Sequence, residues 1–242
     1  MKQLYSNYTK DDKIIWELLF NRQKKNLQTK ASEEYINCLN KMSFCLNSQS
    51  IPNFKKLNTY LKSSTNWEIV VVSGLIPVAE FFEKISMKKF PASTWIRSIK
   101  QIDYLEEPDM FHDIFGHIPL LINETFSNFT FKLGCLGKKY IHNPKILLQL
   151  QRIYWFTIEF GLIREKNNIN IYGAGIASSF GESNHIFEKN ILPEKFKINE
   201  IVNTDFNTSE IQKKYFVIDS YSELEDGIVE FENNLRQNYD LD

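Results

Sequence analysis

Two histidines lie five residues apart in a strongly apolar segment, EEPDMFHDIFGHIPLL, which runs from Glu106 to Leu121. The chain has only four histidines, and two of them are His112 and His117. The apolar neighbours indicate that the segment is buried, and a buried imidazole needs partners for both ring nitrogens. The pair is therefore either two core histidines bonded to backbone or two ligands of one metal ion.

The spacing of the pair constrains the local structure. Five residues along a regular α-helix turn by about 500°, which places the two side chains roughly 140° apart. Pro108 fits a helix start and Asp109 a cap or first-turn position, whereas Gly116 and Pro119 indicate that the helix ends or distorts near His117. A helix that stops or bends at Gly116 would let both imidazoles face one point.

A carboxylate stands in an equally apolar setting at Glu159, within QRIYWFTIEFGLI. On a continuous helix its neighbours would be Trp155, Phe156, Leu162 and Ile163, all of them apolar. A buried carboxylate requires a cation, a metal or several hydrogen-bond donors. An ion pair with an arginine or lysine, or an exposed helix edge, would also accommodate Glu159. A metal ion would explain all three residues at once.

Two histidines and one carboxylate form the facial triad of non-haem Fe(II) oxygenases, which leaves coordination positions open. The same ligands could hold catalytic zinc. Zinc peptidases usually carry HExxH with a general-base glutamate inside the motif, and HDIFGH has neither that spacing nor that glutamate. The motif therefore favours an oxygenase over a hydrolase.

The elements that must position these residues are mostly helical. DDKIIWELLFNRQ places Ile14, Leu18 and Leu19 on one helical stripe, IPNFKKLNTYLKS predicts a helix after Pro52, and IPVAEFFEKI predicts another. Short strands are predicted in WEIVVVSG (67–74), INIYG (169–173) and KYFVIDS (214–220). The predicted fold class is mainly α with a small β component.

Composition excludes several classes of protein. The 242 residues are 43% hydrophobic and 24% charged, without repeats or Gly/Ser-rich linkers, which predicts a single domain over residues 1–242. A net charge of -1 gives no electrostatic footprint for nucleic acid. No stretch approaches the roughly 18 apolar residues of a membrane span, and the N-terminus lacks a signal-peptide core, so we expect a cytoplasmic protein. Cys38, Cys45 and Cys135 lack CxxC spacing and predict free thiols.

Several blocks of the sequence resemble one known family. EEPDMFHDIFGHIPLL, IYWFTIEFGLI, IYGAGIASSFGES and KYFVIDSYSEL look like the signature blocks of the pterin-dependent aromatic amino acid hydroxylases, in the same order. The resemblance covers residues 8–224 and is closest to the compact bacterial members, whose FPxxxWIR, DYLxEPDxFHD and YFVIDS this chain echoes. It implies a single catalytic domain of that type, with Fe(II) held by His112, His117 and Glu159.

The resemblance also implies a binding site for a tetrahydropterin, which reacts with O2 at the iron in this family. Gly74 and Leu75 would contact the pterin through their backbone, Phe81 would stack on its ring, and Asp113 and Tyr154 would lie close to it. Glycine permits close backbone approach and an aromatic ring offers a flat face. Asp113 would equally suit the first turn of a helix, and Phe81 and Tyr154 would also suit the core.

For the substrate, the resemblance implies that Arg97 binds the carboxylate of an amino acid, because a guanidinium suits bidentate binding. Trp155 stands where phenylalanine and tyrosine hydroxylases have Trp and tryptophan hydroxylases have Phe, which favours a one-ring substrate. Gly175 and Ser178 in GAGIASSFGES would position the substrate or an iron ligand. A surface arginine and a purely structural glycine turn are the alternatives.

The function implied is ring hydroxylation of an aromatic amino acid, in the first place L-phenylalanine to L-tyrosine. Tyrosine or tryptophan hydroxylation, or an inactive relative that binds metal and amino acid, stay open as alternatives. The expected partners are small molecules, without nucleic acid or membrane. The short acidic C-terminal tail, SELEDGIVEFENNLRQNYDLD, resembles neither a regulatory nor a tetramerisation domain and predicts a monomer.

Overall fold

A computed structural model describes residues 1–103, 105, 107–188 and 191–239, with only the backbone of the last two. Glu106, the first residue of the histidine segment, and residues 240–242 of the acidic tail lie outside the described residues. The α-helices are α1 (Lys10–Leu27), α2 (Glu33–Lys41), α3 (Phe54–Ser64), α4 (Val78–Ile85), α5 (Glu124–Lys139), α6 (Pro144–Tyr154), α7 (Ala174–Ser178), α8 (Phe180–Glu188), α9 (Ile198–Ile201) and α10 (Ser222–Tyr239).

The strands are few and short: β1 (Glu68–Val71), β2 (Lys89–Ala92), β3 (Leu162–Glu165), β4 (Asn168–Ile171), β5 (Glu194–Lys195) and β6 (Phe216–Ile218). β1 and β2 pair in parallel, and the other four form a sheet in the order β4-β3-β6-β5. β3 and β4 make an antiparallel hairpin, while β6 runs parallel to both β3 and β5. The predicted class, mainly α with a small β component, is confirmed.

Side-chain caps define where many helices begin. Thr9 and Asp12 form a reciprocal capping box at α1, and Ser32 accepts from the Tyr35 N–H at α2. Asparagine does the same at α3, α5 and α6, where Asn53, Asn123 and Asn143 are the cap residues. Each cap satisfies an N–H group that the helix itself leaves unpaired.

The predicted apolar stripe of α1 is wrong in two of its three residues. Leu19 is buried, but Ile14 and Leu18 are exposed, and the core face instead carries Ile15, Trp16, Leu19 and Phe20. The aromatic rings decide the rotation of the helix because they bury the largest apolar area. Trp16 packs edge-on against Phe111 at 5.6 Å, and Phe20 packs against Phe115 at 5.2 Å.

The other predicted elements are found near their expected places. The predicted helices correspond to α3 and α4, and the three predicted strands correspond to β1, β4 and β6. One contiguous hydrophobic core contains residues from α1 through α10 and includes the apolar residues of the histidine segment. No helix among the described residues combines the length and apolarity needed to cross a bilayer.

Candidate metal centre and active-site cavity

The histidine segment is a π-helical turn from His112 to His117, preceded by one short helical stretch at Met110 and Phe111. The Asp109 side chain accepts a hydrogen bond from the His112 N–H at 3.0 Å, so Asp109 is the cap predicted from sequence. The expected distortion is confirmed, but it is spread over the whole segment rather than confined to Gly116. A π-helix is wider than an α-helix and bonds i to i+5, which brings residues five apart onto successive turns.

Glu159 is the last residue of a second π-helical turn, Trp155–Glu159, which continues α6. The Phe160 N–H donates to the Trp155 carbonyl oxygen at 2.8 Å, a bond of the i to i+5 type. The chain then leaves the helix, so Leu162 and Ile163 lie in β3 and are not helical neighbours of Glu159. The carboxylate is nevertheless largely enclosed, with 12% of its side chain exposed.

The three predicted ligands meet at one point. His112 Nε2 lies 3.1 Å from His117 Nε2, and Glu159 Oε1 lies 3.2 Å from His117 Nε2. Glu159 Oε2 lies 3.7 Å from His112 Nε2. Two ligand atoms about 2.1 Å from an ion and at about 90° to each other would be roughly 3.0 Å apart. The donor atoms are therefore spaced as neighbouring ligands of one metal ion.

The protonation states also suit a metal. Burial lowers the pKa of His112 to about 4, which leaves the imidazole uncharged at neutral pH. Burial raises the pKa of Glu159, but the neighbouring His117 and His112 lower it by more, to about 2. A neutral imidazole and an ionised carboxylate are the forms that bind metal ions.

Ser178 and Gly175 lie behind the ligands rather than on the cavity wall. Ser178 Oγ is 2.9 Å from His112 Nδ1, and it also donates to the Ala174 carbonyl oxygen at 2.8 Å. A Cβ on Gly175 would sit 3.0 Å from Glu159 Oε2. A Cβ on Gly116 would sit 2.8 Å from the Ala174 oxygen, so only glycine lets α7 pack this closely on the histidine turn.

A cavity of about 290 Å³ opens over the ligands. Its described lining is mostly apolar and consists of Val72, Gly74, Leu75, Ile76, Val78, Phe81, Phe82, Phe90, Pro91, Ser93, Pro108, His112, Asp113, His117, Gln151, Tyr154, Trp155, Glu159, Phe206 and Thr208. An apolar cavity with a few convergent polar groups has the general character of a small-molecule site. It also limits access of water to the ligands.

All five residues predicted to bind the pterin line this cavity, namely Gly74, Leu75, Phe81, Asp113 and Tyr154. Phe81 and Tyr154 meet edge to face at 4.9 Å, and Leu75 is strongly exposed. Asp113 accepts a hydrogen bond from the Ser93 N–H at 2.7 Å. Burial raises the pKa of Asp113 to about 7.

Arg97 is buried beside the histidine turn and is not a surface arginine. Its Nε and Nη2 donate to Asp109 Oδ2 and Oδ1 at 2.9 and 2.8 Å, and its backbone N–H donates to Oδ2 as well. Arg97 lowers the pKa of Asp109 against the effect of burial, which raises it. Four residues were predicted to bind or position the substrate, and Trp155 is the only one of them among the described residues that line the cavity.

Some lining residues were not among the site residues predicted from the sequence. Phe206 and Thr208 come from a polar loop, DFNTSE, that sequence patterns would leave to solvent. Phe90 packs its ring 4.8 Å from the His117 ring, and Ser93 supports Asp113 through its backbone. The FPxxxWIR block contains both of these residues, so its resemblance to the family was the available signal.

The sequence model of the biopterin-dependent aromatic amino acid hydroxylases matches residues 4–242. The phenylalanine-4-hydroxylase of Ralstonia nicotianae is 41% identical over 228 residues, covering 93% of this chain and 72% of that protein. The phenylalanine-4-hydroxylase of Chromobacterium violaceum is 40% identical over 230 residues, covering 93% of this chain and 75% of that protein.

Solved structures of the Chromobacterium violaceum enzyme have the same fold. Its crystal structure with bound oxidised Fe(III) superposes with a TM-score of 0.90 at 40% identity, covering 95% of this chain and 82% of that one. A second structure of that enzyme, with iron(III) and the oxidised cofactor 7,8-dihydrobiopterin, gives a TM-score of 0.89 at 38% identity and covers 98% and 86%.

Proposed function

Because this chain belongs to the biopterin-dependent aromatic amino acid hydroxylase family, we propose that it hydroxylates L-phenylalanine to L-tyrosine with Fe(II), a tetrahydropterin and O2. The observation that carries the proposal is the cluster of His112, His117 and Glu159 below an apolar cavity. Two relatives that align with more than nine-tenths of this chain are named for this activity.

The three ligand side chains would hold the iron by donating two neutral nitrogens and one carboxylate oxygen. When bound, the iron and the tetrahydropterin together supply the activation of O2 that ring hydroxylation requires. Donors on a single face of an ion leave the other face free for small molecules. The residues around the ligands then have two tasks, which are to orient these molecules and to keep bulk water out.

The pterin would lie along the wall formed by Gly74, Leu75 and Phe81. This assignment is supported by their shared position on the cavity and by the flat face that Phe81 offers. Tyr154 holds the Phe81 ring from the side at 4.9 Å. Asp113, fixed by the Ser93 N–H, would accept a hydrogen bond from a nitrogen of the pterin ring or from an intervening water.

The amino acid would place its ring near Trp155 and its carboxylate near Arg97. Asp109 engages Nε and Nη2 of Arg97, so the guanidinium is held in one orientation with its remaining donors free of that carboxylate. A preoriented, desolvated guanidinium binds a carboxylate more strongly than a mobile one. Ser178 and Gly175 would act through the metal ligands His112 and Glu159 that they touch.

The experiment that tests the proposal is anaerobic loading with Fe(II), followed by O2, a tetrahydropterin and equal amounts of phenylalanine, tyrosine and tryptophan. We expect tyrosine formation that requires both iron and pterin, measured by mass spectrometry with isotopically labelled substrates. Preferred hydroxylation of tyrosine or tryptophan would reassign the substrate within the family. Bound metal and intact pterin without any hydroxylated product would favour the inactive binding relative.

The monomeric state and the cytoplasmic location stay predictions, as does the role of residues 1–242 as a single catalytic domain. Light scattering coupled to size-exclusion chromatography tests the first of these. A mass near 28.6 kDa is expected for a monomer.

A further inference from the structure

The loop of residues 202–215, between α9 and β6, supplies one wall of the active-site cavity through Phe206 and Thr208. Phe206 stacks on Trp155 with 4.7 Å between ring centroids and 21° between ring planes. Phe160 contacts Trp155 at 4.6 Å. Trp155 therefore packs against two aromatic rings, one of which belongs to the 202–215 loop.

Gln212 lies at the base of this loop and is 6% exposed. Its Oε1 accepts a hydrogen bond from Trp155 Nε1 at 3.0 Å. Its Nε2 donates to the carbonyl oxygens of Asn207 and Glu210 at 2.7 and 2.8 Å. One buried amide thus connects the indole of Trp155 to two backbone positions that flank Thr208 and Ser209.

The chemistry of these contacts permits only one orientation of the amide. The indole N–H is a donor without acceptor capacity, and the two carbonyl oxygens are acceptors only. Turning the amide over would set donor against donor at Trp155 and acceptor against acceptor at Asn207. Glutamine is therefore matched to its three partners, and neither Glu nor an apolar residue can replace all three bonds.

The backbone of Gln212 is bonded to Glu182 of α8. Its backbone N–H donates to Glu182 Oε1 at 3.1 Å, and the Tyr215 hydroxyl donates to Glu182 Oε2 at 2.9 Å. Glu182 is buried, and burial raises its pKa, with the Tyr215 bond acting in the opposite direction. Gln212 and Tyr215, near the C-terminal end of the loop, are thus bonded to one carboxyl group.

We propose that Gln212 is a positioning residue for the aromatic substrate, which fixes the plane of Trp155 and holds the 202–215 loop against it. The inference rests on the proposed function, since Trp155 is the predicted contact of the substrate ring. The Phe81 ring contacts Phe82 and Tyr154 instead, so the predicted pterin face does not depend on Gln212. Gln212 should accordingly affect the amino acid and leave the pterin unaffected.

The test compares Gln212→Met, which keeps the length of the side chain and removes its hydrogen bonds, with Glu210→Ala. Glu210 uses only its backbone oxygen in this network, so Glu210→Ala keeps every bond to Gln212 and serves as the matched loop control. The first readout is the exchange rate of the Trp155 indole N–H with solvent, observed by NMR and assigned with Trp155→Phe.

Two fully buried indoles provide internal references, because Trp16 donates to the Asn47 oxygen and Trp67 to Ser127 Oγ. In Gln212→Met we expect the Trp155 indole to exchange on the order of tenfold faster, the effect of losing one net hydrogen bond. Trp16 and Trp67 should keep their wild-type rates. Unchanged exchange at Trp155, or equal acceleration of all three, would overturn the proposal.

The second readout is kinetic. Gln212→Met should raise the KM for the amino acid by about tenfold and increase pterin oxidation that is not coupled to hydroxylation, while the pterin KM stays within about twofold. A parallel rise in both KM values, or a fall in kcat that matches the loss of folded protein, would show a merely structural role. The exchange measurement needs no activity, so an inactive wild-type enzyme would refute the proposed function without affecting the exchange result.

Discussion

His112 Nδ1 and Ser178 Oγ lie 2.9 Å apart, and the hydroxyl hydrogen of Ser178 is already donated to the Ala174 carbonyl oxygen at 2.8 Å. A hydroxyl has one hydrogen, so Ser178 can only accept at His112. The imidazole must then carry its proton on Nδ1, which leaves the Nε2 lone pair free at the proposed metal site. Ser178 therefore selects the tautomer of His112 that can bind a metal.

Replacing Ser178 with alanine should weaken metal binding because nothing would then hold His112 in this tautomer. We expect a loss of about 10- to 100-fold in affinity for Fe(II) or Co(II), measured by competition with a chromophoric chelator. Ser178→Thr keeps the hydroxyl and is the matched control. Wild-type affinity in the alanine variant would contradict the tautomer argument.

Glu159→Gln should cost more metal affinity than Ser178→Ala, since it removes the negatively charged ligand and leaves the neighbouring groups in place. We expect the metal affinity to fall by more than the roughly 100-fold that results from replacing residues that hydrogen-bond to the ligands. The same chelator competition measures it, with the exposed Glu194→Gln as a control for general charge loss. Stoichiometric metal at wild-type affinity would remove Glu159 from the ligand set.

Arg97→Lys should raise the KM for the amino acid and leave the pterin KM unchanged. A lysine cannot donate two hydrogen bonds to Asp109 in the fork geometry and at the same time present an oriented donor to a carboxylate. Loss of one charge-assisted bond of about 1.5–3 kcal/mol corresponds to roughly 10- to 100-fold. Arg164→Lys, at a half-exposed arginine paired with Asp219, is the control. Equal changes in both KM values would indicate general damage instead.

The sequence was most informative where chemistry is local. The two histidines and Glu159 could be grouped because buried polar groups require partners, and the cap at Asp109 followed from its position before an apolar run. Helix rotation was harder to predict, since Ile14 and Trp16 are both apolar and only the packing of Trp16 on Phe111 decides which faces inward.

Contacts between residues far apart in the sequence could not be predicted. The bond from Trp155 to Gln212 joins residues 57 positions apart, and neither residue carries a pattern that points to the other. The sequence predicted a distortion near Gly116 but neither its π-helical winding nor the second π-helical turn, because such winding depends on tertiary contacts rather than on residue propensity. Phe115, inside the first turn, shows this dependence: its carbonyl oxygen accepts from the Tyr35 hydroxyl on α2.

Gly137→Ala should destabilise the fold, because a Cβ there would overlap the Phe82 ring where α4 packs on α5. We expect a loss of about 1–3 kcal/mol in the free energy of unfolding, measured with urea. Gly181→Ala on α8 is the matched control, since the nearest atom to its Cβ would be 4.0 Å away and alanine favours a helix. Equal stability of the two variants would contradict the packing of α4 on α5.

Glu182→Gln should change how stability depends on pH. Burial raises the pKa of Glu182 above its ordinary value of 4.5, so the folded chain holds this proton more tightly than the unfolded chain does. In that case the free energy of unfolding falls as pH rises from the unfolded pKa to the folded pKa, by about 1.4 kcal/mol for each unit of difference. Below the unfolded pKa both states are protonated and no penalty applies.

Glutamine does not titrate, so the Glu182→Gln variant should lack this fall. The difference in unfolding free energy between the two proteins should therefore shift in favour of the variant as pH rises above the ordinary pKa of 4.5, as measured by urea unfolding at several pH values. The exposed Glu210→Gln variant should follow the wild type throughout this range. Parallel curves for wild type and Glu182→Gln would mean that Glu182 keeps its ordinary pKa and that the Tyr215 and Gln212 donors offset the whole effect of burial.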